Sequence, residues 1–273
     1  MKTLSYLESR KLSSFLDAQH TVVKNIEDVA EDLLSFYPET LPEVKDATPV
    51  CILIGTERGF CGDFNHSLLK YMETSLQEYS PDSLILIAIG RKLCTHLGGD
   101  TRVTVMIDGA SVVEEVTSLL NQVITELTAL QDKHGVLTVS CLYHGGDDNI
   151  LMQKLLPPFQ DILRKPPRFP HPPVLNQSPR GILVDLADHY LFAALHEILF
   201  TSLMIENHHR IAHLEGAVKH LDGDAAELTR QCNVLRQEEI IEEIEVILLS
   251  AASLGEIPVK LEQAGMRNET KRQ

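Results

Sequence analysis

Apolar residues near the start of the chain recur at alternating intervals of four and three. The stripe consists of Leu12, Leu16, Gln19, Val23, Ile26, Ala30 and Leu33. This spacing is typical of the a and d positions of a coiled-coil helix, with Gln19 as one polar interruption. The same stripe also fits a surface helix that lies on a globular core. Both interpretations predict a helix over residues 1–37, which Pro38, Pro42 and Pro49 end.

The pattern changes between residues 49 and 150, where short apolar runs alternate with longer amphipathic segments. The runs PVCILIG, SLILIAIG and VLTVSCLYHG each end at glycine, and FNHSLLKYMETSLQEY and ASVVEEVTSLLNQVITELTALQDK lie between them. Fully apolar strands that alternate with helices are typical of βαβ units, in which helices cover both faces of a parallel sheet. We therefore predict a Rossmann-like α/β domain over residues 49–150.

The next segment, residues 151–181, is dense in proline and is predicted to be a connection, because regular helix does not tolerate such a density. Residues 182–255 contain no proline and are predicted to form one long coiled-coil helix. Gly216 and Gly223 weaken this helix and allow a break or kink near the second of them. Residues 256–273 form a tail. The fold class is therefore α/β, with the Rossmann-like domain inserted between an N-terminal and a C-terminal helix.

The long helix carries its own apolar stripe. It consists of Leu221, Ala225, Leu228, Cys232 and Leu235, and then Ile240, Ile244, Ile247, Ala251 and Leu254. A helix much longer than a domain is wide cannot bury such a stripe against its own globule. It therefore needs a partner helix or partner proteins.

Charge and cysteine content narrow the possible functions. The formal net charge is −15, and an acidic surface repels the phosphate backbone, so nucleic acid is not expected as a partner. The five cysteines are widely spaced without a CxxC motif, which predicts reduced thiols. The N-terminus lacks the apolar core of a signal peptide, and no run reaches the roughly 18–20 apolar residues that span a bilayer. We expect a soluble chain, or one that is peripheral to a membrane.

The turn GTERGFCGD after the first apolar run is a natural place to look for chemistry. It lacks the spacing of GxxxxGK[ST] and of GxGxxG, and Glu57 and Asp63 would repel a phosphate, so nucleotide binding is not expected. Cys61 has Arg58 and His66 nearby in sequence, but nothing places them in register to activate a thiol. A small thiol packed at a strand–helix joint is the favoured interpretation.

Two further polar patterns receive ordinary interpretations. His209 and His213 lie four residues apart on a predicted helix and could hold a metal, but no third ligand accompanies them. The glutamates of residues 238–245 are expected to form a solvated helix face, because no cavity gives them a role as acids or bases. We expect no catalytic constellation, no metal and no other cofactor.

Two stretches resemble one known family. TERGFCGDFN, residues 56–65, is similar to a signature written [ST]DRGLCGGxN, and residues 206–254 are similar to a C-terminal helix; both belong to the gamma subunit of F-type ATP synthases. In the first stretch the matching positions are Arg58, Gly59, Cys61, Gly62 and Asn65. In the second they are Glu206, His208, Arg210, Ala217, Leu228, Asn233, Arg236, Gln237, Ile240, Glu245, Ala251, Ala252 and Leu254. Gly59 and Gly62 are expected to allow a tight turn.

The resemblance implies a rotor that has no catalytic site of its own. Its terminal helices would form an antiparallel coiled coil within an alpha/beta hexamer, and its α/β domain would lie near an epsilon subunit and the membrane c-ring. Arg236, Gln237, Ile240 and Glu245 would contact the hexamer. Rotation would couple proton or sodium flow to ATP synthesis or hydrolysis. The chain would lie peripherally on the cytoplasmic face of a bacterial-type inner or plasma membrane.

The sequence also departs from the family pattern. A basic amphipathic stretch that usually opens the family's N-terminal helix is not found before Leu4. Asp63 replaces a glycine, and Glu238 and Glu239 replace small residues after the Arg-Gln pair. These departures keep an alternative hypothesis open, a stand-alone helical interaction protein derived from the family. A small nucleotide-handling enzyme is a third hypothesis.

Overall fold

The computed structural model describes residues 2–42, 46–77, 79, 83–146, 149–160 and 167–253. The helices and strands are α1 (Lys2–Phe36), β1 (Thr48–Ile54), α2 (Phe64–Ser75), β2 (Ile85–Ile89), α3 (Arg91–His96), β3 (Val103–Ile107), α4 (Val116–His134), β4 (Leu137–His144), β5 (Ile150–Leu156) and α5 (Pro179–Ser253). Short 3-10 helices occupy Pro38–Thr40 and Val113–Glu115. The chain divides into two units, Met1–Glu215 and Gly216–Gln273. The predicted tail, residues 256–273, lies outside the described residues.

The five strands form one sheet in the order β3-β2-β1-β4-β5. Strand β1 is parallel to β2 and to β4, and β3 is parallel to β2, as βαβ connections require. Strand β5 is antiparallel to β4. The predicted α/β fold class is confirmed, and the expectation of a wholly parallel sheet is corrected to a mixed one.

Strand β5 also corrects the predicted connection over residues 151–181, because Ile150–Leu156 is a strand. This strand pairs with β4 alone among the described strands, and only Leu155 within it is buried. A strand with one neighbour and one buried position has no need of a wholly apolar sequence. Its sequence, ILMQKLL, therefore lacks the fully apolar run that predicts the central strands.

Strand β1 shows why the central strands are apolar throughout. Val50, Ile52 and Ile54 belong to the larger apolar cluster, which includes residues of α1, α4 and α5. Cys51 and Leu53 belong to a second cluster with residues of α2 and α3. Because successive side chains point to opposite faces, a sheet covered on both faces needs apolar residues at every position.

Helix α1 runs antiparallel to α5 within the first unit. Lys2 pairs with Glu215 at 2.8 Å, and the Gln19 side chain donates a hydrogen bond to the carbonyl oxygen of Ala193 at 3.0 Å. The side chain of Gln19, the polar interruption of the α1 stripe, thus has a hydrogen-bond acceptor in the backbone of α5. The rest of the stripe, exemplified by the fully buried Leu12, belongs to the same apolar cluster as one face of the sheet. Both interpretations of this stripe therefore describe part of its packing.

Helix α5 begins at Pro179, three residues before the predicted start. The Ser178 hydroxyl accepts a hydrogen bond from the N–H of Gly181 at 3.2 Å, and proline suits the first turn of a helix. The helix continues through Gly216 and Gly223 without the break that the sequence allows. None of the helices in the described ranges has the length and apolar character needed to cross a bilayer.

Candidate functional site: the junction of the 56–65 turn with helix α5

The turn over residues 56–65 leads from β1 to α2 and is closed by a pair of side-chain contacts. Asn65 accepts a hydrogen bond from the N–H of Thr56 at 3.0 Å through its Oδ1 atom. Its Nδ2 atom donates to the hydroxyl of Thr56 at 2.8 Å. Asn65, a family-motif position, therefore holds the two ends of the turn together.

The backbone of this turn differs in one respect from the expectation. Gly62 has a φ of +61°, which glycine adopts without strain, but Gly59 does not lie in the left-handed region. The second residue with positive φ is Phe60, at +68°. The expectation that Gly59 supplies conformational freedom is therefore corrected. Gly59 contributes through its carbonyl oxygen.

Glu206 of helix α5 binds the turn through main-chain groups. Its carboxylate accepts hydrogen bonds from the N–H groups of Glu57 and Arg58, each at 3.3 Å. The same carboxylate forms an ion pair with Arg210, one helical turn further along α5. Only 4% of the surface of Glu206 is exposed. Burial raises the pKa of this carboxyl, while Arg210 and the two N–H groups oppose the rise.

Arg210 completes the junction from the same face of α5. Its Nε atom donates to the carbonyl oxygen of Gly59 at 3.3 Å, and its Nη1 atom donates to Asn207 Oδ1 at 2.9 Å. Its Nη2 atom lies 3.5 Å from the sulfur of Cys61. A buried guanidinium needs this many acceptors, because an unpaired buried charge is costly. Glu206 and Arg210 of α5 together thus fix the path of the turn.

Cys61 is buried within this junction, and its thiol is protonated at neutral pH. Burial raises its pKa to about 12, and the charge of Glu206 adds to the rise. Its sulfur lies 3.6 Å from the carbonyl oxygens of Arg58 and Gly59. The Arg58 side chain donates instead to the hydroxyl of Ser111 at 3.0 Å. This geometry agrees with a packed thiol and opposes a nucleophilic one.

Glu57 ties the turn to two other loops, a role that sequence analysis missed. Its carboxylate accepts hydrogen bonds from the N–H groups of Arg91 at 2.9 Å and Gly109 at 2.8 Å, and pairs with the Arg91 guanidinium at 2.7 Å. These residues follow β2 and β3, whose carboxyl ends lie at the same edge of the sheet as that of β1. The available signal was an acidic residue directly after a central parallel strand, where neighbouring loops present N–H groups.

Gly90 makes a close backbone approach at the same edge of the sheet. Its φ is +108°, and a Cβ atom would lie 2.8 Å from the carbonyl oxygens of both Gly55 and Thr56. Glycine is therefore required here for conformation and for space. The turn, the loop after β2 and helix α5 form one packed assembly.

The histidines of α5 near this junction lie in different environments. His208 is exposed and faces a groove of about 480 Å³ that Tyr6 and Arg10 of α1 also line. His209 is half-buried, with its ring 5.4 Å from that of Phe64 in an edge-on contact. Within the described ranges, no group of three or more His, Cys, Asp or Glu side chains is placed to hold a metal ion.

The predicted contact positions for partner proteins lie in the second unit. Arg236, Gln237, Ile240 and Glu245 are all exposed, and 47% of the surface of Ile240 is accessible. The larger apolar residues around them are also exposed, including Leu235 at 63% and Ile247 at 63%. The predicted roles of these residues stay predictions, since they depend on partner proteins.

The α/β domain lies between two antiparallel helices. Glu206 and Arg210 of the longer helix bind this domain through hydrogen bonds to the main chain of the 56–65 turn. A family model described as ATP synthase matches residues 1–254. The chain belongs to the ATP synthase gamma-chain family, and the resemblance seen in the sequence is confirmed.

Relatives in this family are distant but cover most of the chain. The ATP synthase gamma chain of Caldanaerobacter subterraneus subsp. tengcongensis is 21% identical over 272 residues, which cover 92% of each chain. The gamma chain of Pelotomaculum thermopropionicum is 25% identical over 218 residues, 74% of this chain and 72% of the relative. Divergence at this level leaves the fold as the better-preserved property.

Solved structures agree on the fold. The Tetrahymena thermophila mitochondrial ATP synthase central stalk and c-ring structure contains a chain with a TM-score of 0.56 and 15% identity, covering 80% of this chain and 97% of that one. A Euglena gracilis mitochondrial ATP synthase structure, of OSCP, F1 and c-ring, contains a chain with a TM-score of 0.51 and 14% identity, covering 93% and 97%. The α/β domain between terminal helices is therefore a central-stalk fold.

Proposed function

We propose that this chain is the rotor of an F-type ATP synthase or ATPase. In this role it couples transmembrane proton or sodium flow to ATP synthesis or hydrolysis in an alpha/beta hexamer. One observation carries the proposal beyond family membership. The two stretches that resemble the family's motifs are separated by about 140 residues of sequence, yet Glu206 and Arg210 of one bind the main chain of the other. The two motif stretches of this divergent chain therefore form one intramolecular junction.

The chain's own chemistry fits a mechanical role. The buried polar groups of the junction are bonded to one another: Glu206 to main-chain N–H groups, and Arg210 to a carbonyl oxygen and an amide. Among the described residues, Glu206 lines a cavity of about 20 Å³, which is too small to hold a substrate. In the proposed function, ATP chemistry takes place in the hexamer, and this chain changes the conformation of the hexamer by rotating within it.

The proposed partners would bind two different regions of the chain, the exposed part of α5 and the α/β domain. The alpha and beta subunits would contact exposed α5 residues, with Arg236 and Gln237 donating hydrogen bonds to carboxylates or carbonyl groups around them. Ile240 would supply apolar contact, and Glu245 would accept hydrogen bonds. The epsilon subunit and the c-ring would bind the α/β domain. The chain would then lie peripherally on the cytoplasmic face of the membrane that holds the ring.

Co-expression with the alpha and beta subunits of the same genome tests the proposal. We expect a stable complex at low salt that hydrolyses MgATP, with the chain present at one copy per hexamer. Replacing the contact pair (Arg236→Ala with Gln237→Ala) should lower ATP turnover several-fold while the complex still assembles. The matched control is Arg230→Ala, an exposed arginine of the same helix that pairs with Glu227, which should leave turnover unchanged.

A chain that remains monomeric and ignores the hexamer at low salt would contradict the rotor proposal. It would favour the second candidate, a stand-alone helical interaction protein. The glutamate-rich run of residues 238–245 motivates that candidate, because Glu238 and Glu239 depart from the small residues that follow the Arg-Gln pair in the family pattern. Copurification of the tagged chain from its native source, with or without ATP synthase subunits, separates the two.

A further inference from the structure

A groove lies between helices α1 and α5, within the first unit of the chain. Its volume is about 480 Å³, which lies in the range of sites that hold small molecules. Each helix contributes four residues at positions i, i+3, i+4 and i+7, which share one face of a helix. They are Tyr6, Ser9, Arg10 and Ser13 of α1, and His208, Ile211, Ala212 and Glu215 of α5. The two sets of side chains form the walls of one cleft.

Ser9 is a buried residue of this groove whose hydroxyl group has no partner. Only 8% of its surface is exposed, and its Oγ atom has no hydrogen-bond partner within the described ranges. Other hydroxyl side chains of α1 donate to a carbonyl oxygen of the preceding turn, as Ser14 does to Lys11 at 2.8 Å and Thr21 to Asp17 at 2.9 Å. Because a buried hydroxyl group without a partner is costly, a ligand in the groove would relieve this cost by bonding to Ser9.

Arg10 supplies an unpaired positive charge on the same wall. Its guanidinium has no ion pair or hydrogen bond within the part of the chain that the structure describes, whereas Arg230 on α5 pairs with Glu227. Glu215, the acidic residue of the groove, is paired with Lys2 at 2.8 Å, so its charge is compensated. A free guanidinium in a chain of net charge −15 is suited to a carboxylate, which it can bind through two parallel hydrogen bonds.

The apolar and aromatic residues of the groove indicate the body of the ligand. The Tyr6 side chain is exposed on α1, and Ile211 and Ala212 offer an apolar wall on α5. A planar ring packs well against such surfaces, because aromatic groups combine a large apolar area with few rotatable bonds.

We propose that the groove between α1 and α5 binds a small aryl carboxylate that carries a hydroxyl group. Its carboxylate would pair with Arg10, its ring would pack against Tyr6 and Ile211, and its hydroxyl group would bond to Ser9. The inference goes beyond the proposed function and does not depend on it, because all the residues that line the groove belong to the first unit of this chain.

Titration of the full-length chain with three matched small molecules tests this inference. The probe is para-hydroxyphenylacetate. Its companions are the primary amide of the probe, which lacks the charge, and phenylacetate, which lacks the hydroxyl group. Ligand-observed saturation-transfer NMR measures each dissociation constant, and we expect a Kd of about 1 mM or below for the probe, as suits a ligand of its size. Loss of the charge should weaken binding at least about tenfold, and loss of the hydroxyl group about threefold.

Matched variants locate the site. Arg10→Gln should weaken binding of the probe at least about tenfold and leave the affinity of the amide unchanged, because the amide has no charge to pair. Ser9→Ala should weaken binding of the probe about threefold and leave the affinity of phenylacetate unchanged. The control is Arg180→Gln, at an exposed arginine near the start of α5, which should leave all three affinities unchanged. Circular dichroism checks that each variant keeps its helices.

Each contrary result overturns the inference. If the probe shows no saturable binding up to about 10 mM, the groove is not a site for this class of ligand. Equal affinities for the probe and its amide would show that Arg10 does not select a carboxylate. Equal effects of Arg10→Gln and Arg180→Gln would place the binding elsewhere, and an unchanged affinity in Ser9→Ala would exclude the bond to that hydroxyl group. Because no ATP synthase subunit other than this chain enters the titration, its failure is distinguishable from failure of the rotor proposal.

Discussion

Two segments of helix α5 carry family-motif residues under opposite conditions. Glu206 and Arg210 are buried, and their charges are matched by groups of the same chain. Arg236 and Ile240 are exposed, as are the apolar side chains near them. The first segment is completed by its own fold, so its structure defines its contacts. The second segment is exposed among the described residues, and under the proposed function another protein would cover it.

Among the substitutions that test this contrast, we expect the largest change in unfolding free energy at the buried pair of Glu206 and Arg210. Arg210→Met leaves the Glu206 carboxylate buried without its cation, so the free energy of unfolding should fall by about 3–5 kcal/mol. Arg236→Met should cause no measurable change. Urea denaturation followed by tyrosine fluorescence measures the first change, because the six tyrosines of the chain all precede Gly216, and circular dichroism at the helix band measures the second. Adding Glu206→Gln to Arg210→Met should recover part of the loss, since a neutral amide costs less to bury; no recovery would contradict the ion-pair explanation.

Replacing a glycine with alanine should lower stability in the α/β domain and raise it in the far part of α5. Gly90→Ala forces a positive φ on alanine and a clash with two carbonyl oxygens, and should cost about 2 kcal/mol or more. Gly223→Ala lies in a helix with nothing within 4 Å of the added Cβ atom, and should stabilise the local helix by about 1 kcal/mol. Urea denaturation measures the first change, and amide hydrogen exchange around residue 223 measures the second. If both substitutions changed stability in the same direction, the part of α5 around Gly223 would not be an uncovered helix.

A smaller, pH-dependent effect is expected from His196. Its ring stacks on Phe200 at 5.3 Å, and burial lowers its pKa from the ordinary value of 6.5. The unfolded chain therefore binds a proton first as the pH falls, and His196 contributes stability at neutral pH that is lost on acidification through and below pH 6.5. The unfolding free energy of the native chain, measured against His196→Phe from pH 7.5 to 5, should decline relative to the variant. A constant difference would exclude this contribution.

The smallest perturbation is a chemical probe of exposure. Cys232 is exposed on the far part of α5, whereas Cys51, Cys61 and Cys141 are buried with raised pKa values, about 12 for the first two. A thiol reagent at pH 8 should therefore modify one cysteine rapidly, with the partly buried Cys94 slower. Cys232→Ser should remove the fast phase, and denaturant should expose the remaining thiols. Rapid modification of Cys61 would contradict the buried junction.

The sequence predicted those elements whose periodicity reflects packing within the chain. The α1 stripe was recognisable because Leu12 and its neighbours face a core, and the central strands because both of their faces are covered. Strand β5 was missed because it buries one residue and pairs on one side among the described strands. These outcomes follow from a single rule: apolar pattern records burial, and elements with little burial leave little pattern.

The junction was predictable only in part. The family resemblance marked Cys61, Glu206 and Arg210, but no local pattern indicated that they lie in contact. The role of Glu57 depends on N–H groups supplied by the loops after β2 and β3, which come together only in the folded sheet. Gly59 was assigned a conformational role because glycine often has one, whereas its carbonyl oxygen is what the structure uses. Long-range polar contacts to the main chain leave no trace in residue spacing.

The main-chain character of the junction has a consequence for how this family diverges. Glu206 accepts hydrogen bonds from backbone N–H groups at positions 57 and 58, and Arg210 donates to the backbone carbonyl oxygen at position 59. Every amino acid except proline supplies such an N–H group, and every amino acid supplies a carbonyl oxygen. These contacts therefore constrain the path of the turn and do not by themselves require particular side chains at positions 57–59. The side-chain requirements of the turn arise from other contacts, those of the Glu57 carboxylate and the Asn65 amide, and from the positive φ of Gly62.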